Sequence, residues 1–106
     1  MKILCICQKG NSRSVGFAWL LKMKYRVDAL ACGFKTQSDL TKNMLYEWAD
    51  YIILMAPQYR DLIPMQYSEK LLVLNVGHDT YFKGIDESLV EQCEKFLSLH
   101  GELTHG

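Results

Sequence analysis

Four short apolar runs, separated by longer mixed segments, constrain the fold of this chain more than any other feature of its sequence. Each run is shorter than a typical buried helix and rich in aliphatic residues, as expected of strands covered on both faces. A sheet whose two faces are both buried needs helices on each side. The runs occupy residues 2–7, 26–32, 50–55 and 71–76.

Helical patterns occupy most of the segments between the runs. Residues 12–25 lack proline and bring Phe17, Ala18, Leu21 and Tyr25 to one face. A further short helix is expected from Pro57 to near Pro64.

Two other helices carry start signals. Ser38 is placed to cap a helix with Asp39 in its first turn, and Asp86 is placed to cap the last helix, with Ile85 and Val90 as a hydrophobic staple. The expected apolar stripes are Leu40, Met44, Leu45 and Trp48 in the first of these helices, and Leu89, Cys93, Phe96, Leu97 and His100 in the last.

The alternation of strands and helices predicts an α/β fold. It is expected to be a single doubly wound, three-layer domain spanning residues 1–106, with a four-stranded parallel sheet in the order 2-1-3-4 and helices on both faces. In such sheets ligands bind beyond the carboxyl ends of the strands, where the winding reverses. That point lies beside the first strand, so the loop at residues 7–14 is the place to look for chemistry.

Charge and the cysteines restrict the compartment and the partners. The 106 residues carry 12 Lys and Arg against 12 Asp and Glu, which disfavours nucleic acid or an anionic membrane as the main partner. The first apolar run is too short for an export signal or a membrane span, so we expect a cytoplasmic protein with reduced thiols. The sequence does not predict an oligomeric state.

The four cysteines lack the spacing of a metal site. They are Cys5, Cys7, Cys32 and Cys93, without a C-x-x-C pair, and the histidines are scattered. We therefore expect neither a metal nor another cofactor. Cys5, Cys32 and Cys93 are expected to pack in the core, which leaves Cys7 as the candidate functional thiol.

The loop after the first strand combines residue types that suit phosphate chemistry. Cys7 is followed by five residues and then by Arg13 and Ser14, at a strand-to-helix junction where main-chain N–H groups form an anion nest. The helix end and Arg13 would favour a thiolate at Cys7, to which Ser14 could donate a hydrogen bond. Arg13 could hold two phosphate oxygens with its planar fork. The residues expected to surround the anion are Gln8, Lys9, Gly10, Asn11 and Ser12.

A general acid is expected from another loop at the same edge of the sheet. Asp79, after the fourth strand, is the first candidate to protonate the leaving group and then activate water, and His78 is the second. Tyr81 could form an aromatic wall beside a phenyl ring.

These residues resemble the low-molecular-weight protein tyrosine phosphatases, in the short form of that family. The Cys-x5-Arg-Ser loop is similar to the family's phosphate loop, residues 40–55 to its helix and third strand, and Asp79-Thr80-Tyr81 to its Asp-Pro-Tyr acid loop. Arg60 lies where the family often has a basic residue. The resemblance implies that Cys7 is the nucleophile, Arg13 the phosphate clamp, Ser14 the thiolate partner and Asp79 the general acid.

The chain departs from the family pattern at a few positions. Gly10 and Asn11 are displaced by one position, Ser12 replaces the cysteine that forms the family's protective disulfide, and Thr80 replaces the proline of the acid loop. Neither the family's substrate specificity nor its redox control through that disulfide is therefore carried over to this chain.

The sequence thus predicts a metal-independent phosphomonoester hydrolase of the phosphotyrosine type, working through a phosphocysteine. Its substrate would be a phosphorylated protein or a small aryl phosphate. Two alternatives stay open. One is a phosphocysteine carrier, because residues 7–14 also resemble the loop of the IIB components of sugar phosphotransferase systems; the other is a phosphate-binding module without turnover. Arg13 and Asp79 favour the hydrolase, because a carrier needs neither.

Overall fold

The computed structural model contains a parallel β-sheet with helices on both faces. The structure describes residues 1–8, 13–75 and 87–105. The described elements follow in the order β1 (Lys2–Cys7), α1 (Arg13–Tyr25), β2 (Asp28–Gly33), α2 (Asp39–Trp48), β3 (Tyr51–Leu54), two 3-10 helices (Pro57–Leu62 and Met65–Lys70), β4 (Leu71–Val73), α3 (Glu87–Leu99) and α4 (Glu102–His105).

The strand order confirms the predicted sheet. Among the described residues the four strands lie in the order β2-β1-β3-β4, and every pair is parallel. Strand β1 is central, with Cys7 opposite Gly33 of β2 and Ile6 opposite Leu54 of β3. The carboxyl ends of these three strands therefore meet at one edge of the sheet, and β1 delivers Cys7 to the middle of it.

The two faces of the sheet belong to two separate apolar clusters, as expected for a strand that is buried on both sides. Ile3, Cys5 and Cys7 point toward helices α1 and α3, whereas Leu4 and Ile6 point toward α2 and the two 3-10 helices. All five residues are fully buried. Cys7 therefore lies on the face of the sheet that α1 covers.

The start of α2 is confirmed, and its predicted apolar stripe is correct in part, because Leu45 and Trp48 are partly buried against the core. Ser38 accepts a hydrogen bond from the Thr41 N–H at 3.1 Å and caps the helix as expected. Leu40 and Met44, however, are 71% and 65% exposed, and Tyr46 is the fully enclosed side chain of the helix.

The tyrosine fills this position because another aromatic ring faces it. The rings of Tyr46 and Tyr67 are 5.3 Å apart, and burial raises the pKa of Tyr46 to about 12. Periodicity within α2 could not reveal a partner in the second 3-10 helix.

The second strand begins two residues later than predicted. Arg26 takes a positive φ of 54° after α1, and the Val27 N–H donates to the Leu21 carbonyl at 2.9 Å. A left-handed residue ends a helix and redirects the chain. Strand β2 consequently starts at Asp28.

The remaining predictions are met in part. The helix expected after Pro57 is a 3-10 helix, and the second 3-10 helix was not predicted. Ile85 and Asp86 lie outside the described residues, as does Val76. The predicted buried face of α3 is confirmed, with His100 half-buried against the Phe96 ring. Among the described helices, none is long and apolar enough to cross a membrane.

Candidate active site

The main chain holds Cys7 at the end of β1 from both sides. The Cys7 carbonyl accepts a hydrogen bond from the Phe34 N–H at 3.0 Å, and the Ile6 carbonyl accepts one from the Met55 N–H at 2.8 Å. Phe34 follows β2, and Met55 follows β3. These bonds extend the sheet by one residue on each side of β1, so the main chain of Cys7 is fixed by both neighbouring strands.

The thiol of Cys7 contacts the hydroxyl of Ser14. The distance from Cys7 Sγ to Ser14 Oγ is 3.1 Å, both residues are fully buried, and the neutral thiol donates this hydrogen bond. If the sulfur is ionised, the hydroxyl can donate instead, because a serine hydroxyl is both donor and acceptor. The structure therefore pairs the two residues that the sequence placed seven positions apart.

Helix α1 begins beside this pair. Arg13 and Ser14 are its first two residues, and no acidic residue occupies its first turn. The positive end of the helix dipole therefore lies beside the thiol, and the first turn of α1 carries no carboxylate. Helix N-termini attract anions in general, which makes the end of β1 a candidate anion site.

Arg13 is held by the main chain of another strand end. Only 2% of Arg13 is exposed, and its Nη1 donates to the Met55 carbonyl oxygen at 2.9 Å. The acceptor is a neutral peptide carbonyl, which orients the guanidinium. A planar guanidinium carries five N–H donors in all, and this contact uses one of them.

The other predicted site residues divide into two groups. Gln8 is half-buried, and its carbonyl accepts a hydrogen bond from the Lys35 N–H at 2.9 Å. The rest lie outside the described residues: Lys9, Gly10, Asn11, Ser12, His78, Asp79 and Tyr81. The described part of the site thus comprises Cys7, Gln8, Arg13 and Ser14.

The other cysteines are buried in the core, as predicted. Burial raises the pKa of Cys5 well above its usual value, that of Cys93 to about 12 and that of Cys32 to about 11. These thiols stay neutral near pH 7. Within residues 1–8, 13–75 and 87–105, no three His, Cys, Asp or Glu side chains come together as a metal site.

Two features of the site have no sequence signal. The Met55 carbonyl that anchors Arg13 is a main-chain group, and any residue could supply it. The rings of Phe34 and Tyr59 stack with centroids 4.9 Å apart, beside the ends of β2 and β3. Neither contact follows from periodicity or motif spacing.

Comparison with solved structures identifies the fold. A variant of the YwlE arginine phosphatase, in which a phosphorylated serine replaces the active-site cysteine, superposes with a TM-score of 0.69 at 17% identity and covers 99% of this chain and 97% of its own. The chain has the YwlE fold. No protein-family model matches the sequence, and no curated protein is significantly similar to it.

Two further YwlE structures agree. A mutant from Bacillus subtilis has a TM-score of 0.67 and 20% identity, covering 97% of this chain and 98% of its own. The enzyme from Geobacillus stearothermophilus has a TM-score of 0.62 and 18% identity, covering 99% and 98%. YwlE enzymes have the low-molecular-weight tyrosine phosphatase-like fold, so the resemblance seen in the sequence is supported at the level of the fold.

Proposed function

We propose that this protein is a metal-independent phosphatase that removes phosphate from phosphorylated side chains through a phosphocysteine intermediate. The observation that carries the proposal is the buried contact of 3.1 Å between Cys7 Sγ and Ser14 Oγ at the start of α1, next to the buried Arg13. An unreactive core cysteine would need neither a cationic neighbour nor a helix N-terminus. The YwlE fold supports the same chemistry.

In the first step, the Cys7 thiolate attacks phosphorus. A sulfur–phosphorus bond forms as the bond to the leaving group breaks, and Ser14 stabilises the thiolate before attack. Arg13 holds two of the equatorial oxygens, with its orientation set by the Met55 carbonyl. The main-chain N–H groups of residues 8–12 would bind the remaining negative charge.

The proton transfers are assigned to Asp79. It would give its proton to the leaving group in the first step. As a carboxylate, it would then take a proton from water, which attacks the phosphocysteine and releases phosphate and the thiolate. Asp79 follows β4 in the chain, and parallel strands end at the same edge of the sheet, which supports this assignment. Tyr81 would lie beside the substrate.

A phosphorylated protein is the proposed substrate class, with the protein acting as a single phosphatase-like domain in the cytoplasm. Phosphotyrosine follows from the resemblance of the motifs, and phosphoarginine from the arginine phosphatases that share the fold. Both reactions use the same thiolate and the same arginine. They differ in whether a phosphorus–oxygen or a phosphorus–nitrogen bond breaks.

Turnover with chelator present tests the proposal. We expect the wild type to hydrolyse para-nitrophenyl phosphate in EDTA, Cys7→Ser to be inactive, and the matched control Cys32→Ala, at a buried thiol on the other face of the sheet, to remain active. Parallel assays with phosphotyrosine and phosphoarginine peptides assign the substrate. A wild type inactive on all three between pH 5 and 8 would refute the hydrolase.

The same preparation separates the alternatives. Stable phosphorylation of Cys7 by a phosphohistidine donor, without release of phosphate, would select the carrier. Protection of the fold by phosphate without any turnover would select the binding module.

A further inference from the structure

The active-site loop begins at one strand end and finishes against another. We call the residues that directly follow a strand its exit. At the first residue of the loop, the Cys7 carbonyl accepts from the N–H of Phe34, at the exit of β2. At the last, the Arg13 guanidinium donates to the carbonyl of Met55, at the exit of β3. The distance between thiol and guanidinium therefore depends on how these two exits are held relative to each other.

One aromatic pair joins the two exits. The Phe34 and Tyr59 rings stack with centroids 4.9 Å apart and an interplanar angle of 27°. Phe34 is only 7% exposed, and Tyr59 is half-buried against the same cluster. A stack of this geometry contributes beyond the area that it buries.

Both rings belong to segments that are hydrogen-bonded at the site. Phe34 carries the N–H that binds the Cys7 carbonyl, so its ring and that contact share one residue. Tyr59 belongs to the 3-10 helix that starts two residues after Met55, and its N–H donates to the Ala56 carbonyl at 3.0 Å. The Phe34 ring is thus two side-chain torsions from the residue that binds Cys7, and the Tyr59 ring is joined to Met55 through one hydrogen-bonded 3-10 turn.

Lys42 of α2 makes two contacts with Phe34. Lys42 Nζ lies 5.4 Å from the centre of the Phe34 ring and donates to the Phe34 carbonyl at 3.2 Å. Movement of Phe34 would therefore disrupt its contacts with Lys42 as well as its stack on Tyr59.

We propose that the Phe34–Tyr59 stack is a positioning brace that holds the thiol end and the arginine end of the phosphate loop at the spacing that an oxyanion requires. The proposal rests on the proposed function, because the brace acts through Cys7 and Arg13. Tyr59 and Phe34 are positioning residues and need not touch the substrate. Their loss should weaken anion binding and turnover more than it weakens the fold.

The chain contains a matched control for this test. Tyr67 is also a tyrosine in a 3-10 helix on the same face of the sheet, and its ring packs at a tilt against Tyr46, with centroids 5.3 Å apart. Its hydroxyl donates to Glu47 at 2.7 Å, and Tyr67 is tied to neither Phe34 nor Met55 by these contacts. Tyr67→Met therefore removes an aromatic contact and a hydrogen bond to Glu47 without changing Phe34 or Tyr59.

The experiment compares Tyr59→Met, Tyr59→Phe and Tyr67→Met. Tungstate affinity is measured from thermal protection, and kcat and KM from hydrolysis of para-nitrophenyl phosphate. We expect Tyr59→Met to bind tungstate about threefold to tenfold more weakly, which corresponds to the loss of one stack. Its kcat/KM should fall by at least the same factor, mainly in kcat.

The other variants are controls. Tyr59→Phe should match the wild type, and Tyr67→Met should lose thermal stability but keep tungstate affinity. Phe34→Met should reproduce the Tyr59→Met result and serves if that variant does not fold.

Each outcome bears on the brace. Equal effects of Tyr59→Met and Tyr67→Met on tungstate affinity, or no effect of either, would overturn it. A raised KM for aryl phosphates with unchanged tungstate affinity would also overturn it, because it would make Tyr59 a wall of the substrate cleft. Tungstate binding needs no turnover, so it can be measured even if the wild type is inactive. In that case, weaker tungstate binding by Tyr59→Met but not by Tyr67→Met would support the brace, while the lack of activity would refute the proposed phosphatase.

Discussion

Replacing Arg13 by lysine tests the central geometric argument about this site. The substitution keeps the positive charge but removes the planar fork. Arg13 is 2% exposed, and its Nη1 already donates to the Met55 carbonyl at 2.9 Å. A lysine ammonium is a single point of charge, so it cannot hold that carbonyl and also present two parallel donors to phosphate.

The size of the effect follows from the hydrogen bonds lost. One charge-assisted hydrogen bond is worth about 1.5–3 kcal/mol, and each 1.36 kcal/mol corresponds to about tenfold in rate. We therefore expect kcat/KM of Arg13→Lys to fall by about tenfold to a hundredfold. Phosphate affinity should fall at least about tenfold, which removes about 1.4 kcal/mol of the stabilisation by saturating phosphate.

Two measurements check this prediction, steady-state kinetics on para-nitrophenyl phosphate and thermal melts with and without phosphate. Arg26→Lys is the matched control, because Arg26 is an exposed arginine at the other end of α1. It should leave both readouts unchanged. If Arg13→Lys keeps full kcat/KM and full protection by phosphate, then a positive charge alone suffices, and the claim that the site needs the planar guanidinium is refuted.

Further predictions concern the thiol partner, the surface and the core. Ser14→Ala should lower kcat/KM by about tenfold or more, because it removes the hydrogen bond that would stabilise the proposed thiolate; unchanged kinetics on the same substrate would contradict this. The pKa of Glu94 is lowered by hydrogen bonds from Lys24 and Tyr25, so its ionised form adds stability that is lost as pH falls below its usual value of 4.5. Acid denaturation should show a smaller loss of stability for Glu94→Gln than for the wild type across this range, and similar curves would count against it. Tyr46→Ala should cost about 3 kcal/mol in urea unfolding, whereas Met44→Ala, at an exposed position, should stay within about 0.5 kcal/mol; the reverse order would mean that the assigned face of α2 is wrong.

Much of the fold could be predicted because its signals are local. A run such as residues 2–7 is too short and too apolar for anything but a buried strand, and Ser38 caps its helix through atoms three residues away. Right-handed crossovers then leave few orders for four parallel strands. The order β2-β1-β3-β4 and the place of Cys7 at the central strand end follow from these rules.

The errors arose where a distant residue decided the outcome. Leu40 and Met44 have the spacing of a buried stripe, yet Tyr46 is buried because Tyr67 faces it from a 3-10 helix that the sequence did not predict. Strand β2 starts later than predicted because Arg26 adopts a left-handed conformation, which an arginine in the sequence does not indicate. Asp79 and Tyr81 stay predictions from the sequence.

The sequence by itself determined which residues meet at the end of β1. Cys7 closes a strand, and Arg13 and Ser14 open the helix that follows, so the sequence places a thiol, a hydroxyl and a cation at one strand-to-helix junction. Only the tertiary structure decided how they are held. The Met55 carbonyl that orients Arg13 is 42 positions away and belongs to the main chain, which gives it no signature in the sequence. The stack of Phe34 on Tyr59 likewise depends on how two strand exits pack, because contacts between distant segments are set by the assembled sheet and not by local residue patterns.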